Sequence, residues 1–309
     1  MKQPDMSVRL GPLALRNPVL TASGTFGYVR EYADLVPPER LGGVTVKGVS
    51  PFPCEGNPPP RTWEVEGGLL NAIGLQNPGV EAFIHKPEYL PYLRTLDTCV
   101  IVNIWGRSLD DYVEVARRLE AEREGIGALE INISCPNVKE GGLSFGRDPE
   151  SAAKVVAAVR AVTQLPLITK LSPNSADIVA MAQAVVEAGS DIISLINTIP
   201  AMAVDIYERK PCLGNGYGGL SGPAVRCVAL RCVHQVRRAL HVPIIGMGGI
   251  MTWEDAAAFL LCGADAVAVG TANFANPRAP LEILDGLCNF LISQKISSVR
   301  EYVGTLQFG

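Results

Sequence analysis

PLITKL (166–171), SADIVAMAQAVVEAG (175–189) and IISLIN (192–197) follow one another closely and make one unit. The two outer runs are short, apolar and rich in β-branched residues, as strands buried on both faces are. The segment between them repeats its apolar residues at three- and four-residue intervals, the mark of an amphipathic helix, and Gly189 reads as its stop. Strand, helix, strand is the building unit of a parallel sheet. The pattern extends in both directions. Upstream lie PVLTAS (18–23), GGVTVKG (42–48), CVIVNI (99–104) and ALEINI (128–133), and downstream PIIGMG (243–248) and AVAVGT (266–271). Helical patterns fall at LDDYVEVARRLEAE (109–122), PESAAKVVAAVRAVT (149–163), SGPAVRCVALRCVHQVRRAL (221–240) and TWEDAAAFLLCGA (252–264). Asp148 before Pro149 reads as an N-cap and first helical position. Eight strands alternating with helices predict an α/β fold, a (β/α)8 TIM barrel, with residues 1–309 as a single domain. Two departures from the repeat are expected. GNPPPRTWEVEGGLLNAIG (56–74) reads as a hairpin insertion that brings Asn71 over the barrel mouth, and SCPNVKEGGLSFGRDP (134–149) as a long active-site loop. A second glycine-rich segment, ERKPCLGNGYGGLSGPA (208–224), reads as a loop before a helix; Arg209, Lys210 and Tyr217 in it receive no role.

Composition agrees with one large barrel. The chain has 309 residues, against roughly 250 for a typical barrel, and its 48% hydrophobic content can bury a substantial core. A net charge of −4 gives no electrostatic basis for binding nucleic acid or an anionic membrane. Charged residues or glycine break the apolar stretches before they reach the ~18 residues of a membrane span, and the start MKQPDMSVRLGPLALRNP has no apolar signal core. A soluble cytoplasmic protein is expected. The eight cysteines form no C-x-x-C pair, so no zinc or iron–sulfur spacing is present and no metal is expected on this chain. Cys99, Cys262 and Cys288 lie in apolar contexts and read as small buried hydrophobes.

Each apolar run closes on something polar or on glycine: Ser23, Lys47, Asn103, Asn132, Lys170, Asn197, Gly248–Gly249 and Gly270–Thr271. In a barrel these C-terminal strand ends converge on one mouth, where active sites lie. A solvated strand end is also polar, so no single residue decides the matter. Three asparagines closing apolar strands need partners, however, and a ligand rich in carbonyl and ring N–H groups supplies them. GMGGI (246–250) and GTANF (270–274) follow the seventh and eighth strands, where barrels bind phosphate through glycine amides. An ordinary tight turn explains either one alone; the pair favours a phosphate. No strand is followed by G-x-G-x-x-G opening a helix, which excludes a Rossmann site. Cys135 stands just beyond the mouth in the long loop, where a thiol is reachable from it; the ordinary alternative is a buried spacer. His85, His234 and His241 lie in or beside helical segments, away from the strand ends.

INISCPNVKEGG (131–142), NAIGLQNPG (71–79), TVKG (45–48), ASGTFG (22–27) and GMGGI together resemble class 1 dihydroorotate dehydrogenase, the FMN enzyme of pyrimidine biosynthesis, in order along nearly the whole chain. The loop is most similar to that of class 1B. The resemblance implies oxidation of (S)-dihydroorotate to orotate, with Cys135 as catalytic base and hydride transfer to FMN. It implies one FMN per chain, held by Ser23, Lys47, Gly48, Asn103, Asn132, Lys170, Ile196, Gly222, Gly248, Gly249, Gly270 and Thr271. It places the substrate against Lys47, Asn71, Ala72, Ile73, Gly74, Leu75, Asn132, Asn197 and Thr198. It also implies a homodimeric core within a heterotetramer, in which a second subunit with FAD and a 2Fe–2S cluster passes electrons to NAD+. The missing C-x-x-C and Rossmann motifs fit that division of labour. A fumarate-linked class 1A homodimer, a pyrimidine-reducing FMN barrel and a catalytically silent flavin-binding scaffold are the rival readings.

Overall fold

The structure is a computed structural model that describes residues 3–133, 146 and 148–308. Eight strands close into a barrel: β1 (Val19–Thr21), β2 (Gly43–Val49), β3 (Cys99–Ile104), β4 (Ala128–Asn132), β5 (Leu167–Leu171), β6 (Ile192–Leu195), β7 (Ile244–Met247) and β8 (Ala266–Val269). Neighbours pair in parallel around the ring, and β8 returns to β1 through Val267↔Val19 and Val269↔Thr21. The expected barrel is therefore present with the expected strands. Five of the eight, β1 and β5 to β8, are buried at every residue, which is why they read as unbroken apolar runs rather than as alternation.

The helices start where side chains can satisfy their free N–H groups. Leu109–Ala121 opens on a capping box of Ser108 and Asp111, and Trp253–Leu261 on one of Thr252 and Asp255. Pro149–Arg160 follows Asp148, whose carboxylate accepts from Ser151 N–H at 2.8 Å, as expected. Ile178–Glu187 begins later than periodicity suggests, because Asp177 accepts from both Val179 and Ala180 N–H and fixes the start there.

The two ends of the barrel are closed differently. At the N-terminal end an antiparallel hairpin, Val8–Leu10 with Leu13–Leu15, buries Leu10, Leu13 and Leu15. Gly11 in its turn lies against Asp191 and Pro243, which lead into β6 and β7. At the C-terminal end a four-stranded antiparallel sheet forms a roof, in the order Ile199–Ala201, Gly218–Ser221, Gly68–Asn71, Thr62–Val65. Its last two strands are the hairpin expected from 56–74. Gly218–Ser221 corrects the reading of 208–224 as a loop: it pairs with the hairpin through Gly219↔Asn71, Leu220↔Leu70 and Ser221↔Leu69. Its glycines hide it from strand propensity, yet packing requires them. A Cβ on Gly219 would lie 2.1 Å from Thr198 Oγ1, and one on Gly218 2.5 Å from Leu213 Cδ1.

Candidate active site

Between barrel mouth and roof lies a cavity of about 1070 Å³. Its wall includes all the expected contact residues except Gly222; Cys135 lies outside the described residues. The strand ends and the hairpin therefore face one common space.

On the barrel axis the polar side chains are tied to one another. Asn103, Glu130 and Ser194 come from β3, β4 and β6 and are each at least 98% buried. Asn103 Nδ2 donates to Glu130 Oε2 at 2.6 Å and Ser194 Oγ donates to Glu130 Oε1 at 2.8 Å. One layer higher, Asn197 Nδ2 donates to Asn132 Oδ1 at 3.2 Å, while Asn197 Oδ1 accepts from Thr198 N–H at 2.8 Å. Tyr112 Oη donates to the Asn132 carbonyl at 2.7 Å and fixes the end of β4. The buried Lys170 reaches across the barrel and donates from Nζ to Ser23 Oγ at 3.2 Å. Lys170 thereby ties β5 to the end of β1 across the mouth.

Lys47 and Gly48 sit where the pairing of β2 with β3 shifts register between Val46 and Val49. Such an irregularity redirects a strand and its side chains. Burial pushes the Lys47 ammonium below the usual lysine range, and the positive charge of Arg61 pushes it the same way; Glu31 partly offsets both. Gly48 is glycine for want of room, since a Cβ there would lie 2.8 Å from Asn103 Oδ1 and 3.0 Å from Trp105 Cδ1.

The ends of β7 and β8 form a glycine cradle. Gly248 (φ 123°) and Gly249 (φ 78°) hold conformations that other residues rarely adopt. A Cβ on Gly249 would lie 2.7 Å from the carbonyl oxygen of Gly222. Gly222, itself at φ 90°, thus backs the cradle rather than lining the cavity. Beside it Thr271 Oγ1 donates to Ser221 Oγ at 2.8 Å and ties the cradle to the roof. On the roof side, Asn71 Nδ2 donates to the Gly219 carbonyl at 3.2 Å, and the chain from Ala72 to Leu75 continues along the cavity.

These features suit a flat polar ring carrying a phosphorylated tail. Gly248, Gly249 and Gly270 line the cavity at the ends of β7 and β8, where glycine backbone suits a phosphate. The indole Nε1 of Trp105, after β3 in the same cavity, is buried and lacks a hydrogen-bond partner among the described residues, so a bound acceptor suits it. Three functional candidates were not singled out from the sequence. Glu130 had a signal, as the one charged residue within ALEINI; Trp105 and Ser194 had none beyond their places next to Asn103 and Asn197. Tyr217, without a role in the sequence, lines the cavity from the roof.

Comparison with known proteins agrees with this geometry. The family model described as "Dihydroorotate dehydrogenase" matches residues 6–291. Among curated proteins, the "Dihydroorotate dehydrogenase B (NAD(+)), catalytic subunit" of Geotalea daltonii is 54% identical, over 99% of this chain and 100% of its own length. The protein of the same name from Alkaliphilus metalliredigens is 52% identical over the same shares. A crystal structure of DHODH from Eimeria tenella in complex with ferulenol superposes with a TM-score of 0.81 at 24% identity, covering 97% of this chain and 88% of that one, and shares the fold. With a barrel, a polar mouth under a roof and matches along almost its entire length, the chain belongs to the dihydroorotate dehydrogenase family.

Proposed function

We propose that this chain is the catalytic subunit of an NAD+-linked dihydroorotate dehydrogenase, oxidising (S)-dihydroorotate to orotate in pyrimidine biosynthesis. The observation that carries the reading is the single cavity onto which the ends of β1 to β8 and the roof hairpin converge. The names of its relatives, which specify NAD+ and a catalytic subunit, support the linkage to a partner.

FMN is the cofactor of this reading, and when bound it supplies the two-electron acceptor. Ser23, Lys47, Gly48, Asn103, Asn132, Lys170 and Ile196 would hold its ring and side chain. Gly248, Gly249, Gly270 and Thr271 would hold its phosphate, with Gly222 supporting Gly249 from behind. Placed there, Lys170 would favour negative charge on the reduced cofactor. The dihydroorotate ring would lie beneath Asn71 to Leu75, with Asn71, Asn132 and Asn197 reading its carbonyl and N–H edges and Lys47 meeting its carboxylate. Thr198 completes this side. Because those amides are enclosed, an analogue lacking a polar group leaves one unpaired, which is how such a site discriminates. Cys135 would remove the proton from C5 of the substrate. An ordinary cysteine ionises at about pH 8.5, so turnover rises with pH until the thiol is ionised.

Residues 1–309 would act as one FMN-binding unit in a homodimeric core. A second subunit carrying FAD and a 2Fe–2S cluster would pass electrons to NAD+ within a heterotetramer. A cytoplasmic location belongs to the same reading; among the described residues no helix is long and apolar enough to cross a membrane. The test is the absorbance spectrum of the purified chain, followed by anaerobic addition of dihydroorotate. A flavin spectrum that bleaches on addition is expected. A colourless chain that takes up no FMN, or bound flavin that dihydroorotate leaves oxidised, would overturn the assignment.

A further inference from the structure

We infer that Glu130 is a positioning residue, which holds the Asn103 amide so that it presents its carbonyl oxygen, and not its NH2, to the bound cofactor. The inference rests on the FMN reading of the cavity.

Both carboxyl oxygens of Glu130 accept hydrogen bonds within the barrel, from Asn103 Nδ2 at 2.6 Å and from Ser194 Oγ at 2.8 Å. All three side chains are at least 98% buried, so no water competes for these contacts. An amide alone can turn either end toward a ligand; a carboxylate beneath it settles the choice, because only the NH2 end can donate to an acceptor. The Asn103 oxygen is then left on the side of Gly48. A Cβ on Gly48 would lie 2.8 Å from it, and both residues line the cavity. Ser194, on β6, anchors the second carboxyl oxygen and so ties Glu130 to another wall of the barrel. The cavity is therefore offered a fixed acceptor at this point, suited to an N–H or O–H of the cofactor.

The pair can be reversed in polarity without changing its shape. Asn103→Asp alone sets two carboxyl groups against each other. Asn103→Asp combined with Glu130→Gln restores one donor and one acceptor. The NH2 of the amide introduced by Glu130→Gln would donate to the new carboxylate, and the carbonyl oxygen of that amide would accept from Ser194. The other carboxylate oxygen would still face the cavity. The experiment measures the FMN dissociation constant of apo-chains reconstituted in vitro, by flavin fluorescence, with melting temperature as the control for folding. The single Asn103→Asp variant is expected to bind FMN about 100-fold more weakly than the wild type, and the double variant to recover to within about fivefold. Glu130→Gln alone keeps an acceptor for Asn103 Nδ2 once the Ser194 hydroxyl turns to accept, and is expected within about threefold of wild type. A double variant that binds no better than Asn103→Asp, or an Asn103→Asp chain that binds like the wild type, would overturn the inference. Should Asn103→Asp fail to fold, recovery of both fold and FMN affinity in the double variant supports the pairing, and failure of the double variant counts against it. A wild-type chain that takes up no FMN would remove the underlying reading as well, a result distinct from loss in the double variant alone.

Discussion

The two ends of the barrel are built from opposite materials. The lower end is closed by leucines from a hairpin that packs Leu10, Leu13 and Leu15 beneath the strands. The upper end gathers asparagines, lysines, serines and glycines below a thin sheet. Apolar packing tolerates neighbours of similar volume, whereas the upper network needs each donor to meet its acceptor. The lower end thus holds the fold, and the upper end holds the chemistry at some cost in stability. Two cysteines illustrate the contrast. Cys99 opens β3 at the lower end, where burial pushes its thiol up to about 11. Cys135 follows the mouth residue Asn132 by three positions in sequence.

The largest effect should come from the upper end. Cys135→Ala is expected to lower turnover of dihydroorotate by about 10²- to 10⁴-fold while FMN stays bound, as stopped-flow flavin reduction would show. Near wild-type reduction in that variant would remove the base assignment. Leu10→Ala should give the mirror image: about 2–5 kcal/mol less stability in denaturant titration, with FMN affinity and turnover unchanged at 25 °C. Loss of turnover in the folded Leu10→Ala chain would blur the division between the ends. Gly249→Ala forces a Cβ toward the Gly222 carbonyl at a φ of 78°, and should weaken FMN binding by about 10- to 100-fold.

Two pH measurements sharpen the comparison further. The depressed Lys47 ammonium loses its charge as pH rises, and does so earlier than an ordinary lysine. KM for dihydroorotate should therefore climb at lower pH than an ordinary lysine would give, by about tenfold once the charge is gone, and Lys47→Met should remove that climb. The smallest effect belongs to Cys99. Its thiol ionises near 9.0 when unfolded but at about 11 when folded, so its contribution is complete below the first value and lost through the second. Stability should fall by about 1 kcal/mol more between pH 8 and pH 10 in the wild type than in Cys99→Ala.

What the sequence disclosed follows the same division. The eight strands were legible because parallel strands are apolar throughout, and the mouth was legible because each run ended on a polar residue or glycine. NAIGLQN and SCPN carried the family. The lower hairpin went unseen because its three-residue strands, VRL and LAL, are too short for periodicity to register. The strand Gly218–Ser221 looks like a loop in sequence because close contacts with Thr198 and Leu213 demand the glycines that usually signal one. The role of Glu130 is not legible in sequence because its partners, Asn103 and Ser194, lie 27 and 64 residues away, and only barrel closure brings them together.

The roof has one more consequence. Its strands are contributed by two excursions, one leaving after β2 and the other after β6, that meet through the register Gly219↔Asn71 to Ser221↔Leu69. Among the described residues, no barrel strand pairs with them. Evolution can consequently retailor the ceiling above the ring, changing which molecules are admitted, while the staves below remain untouched.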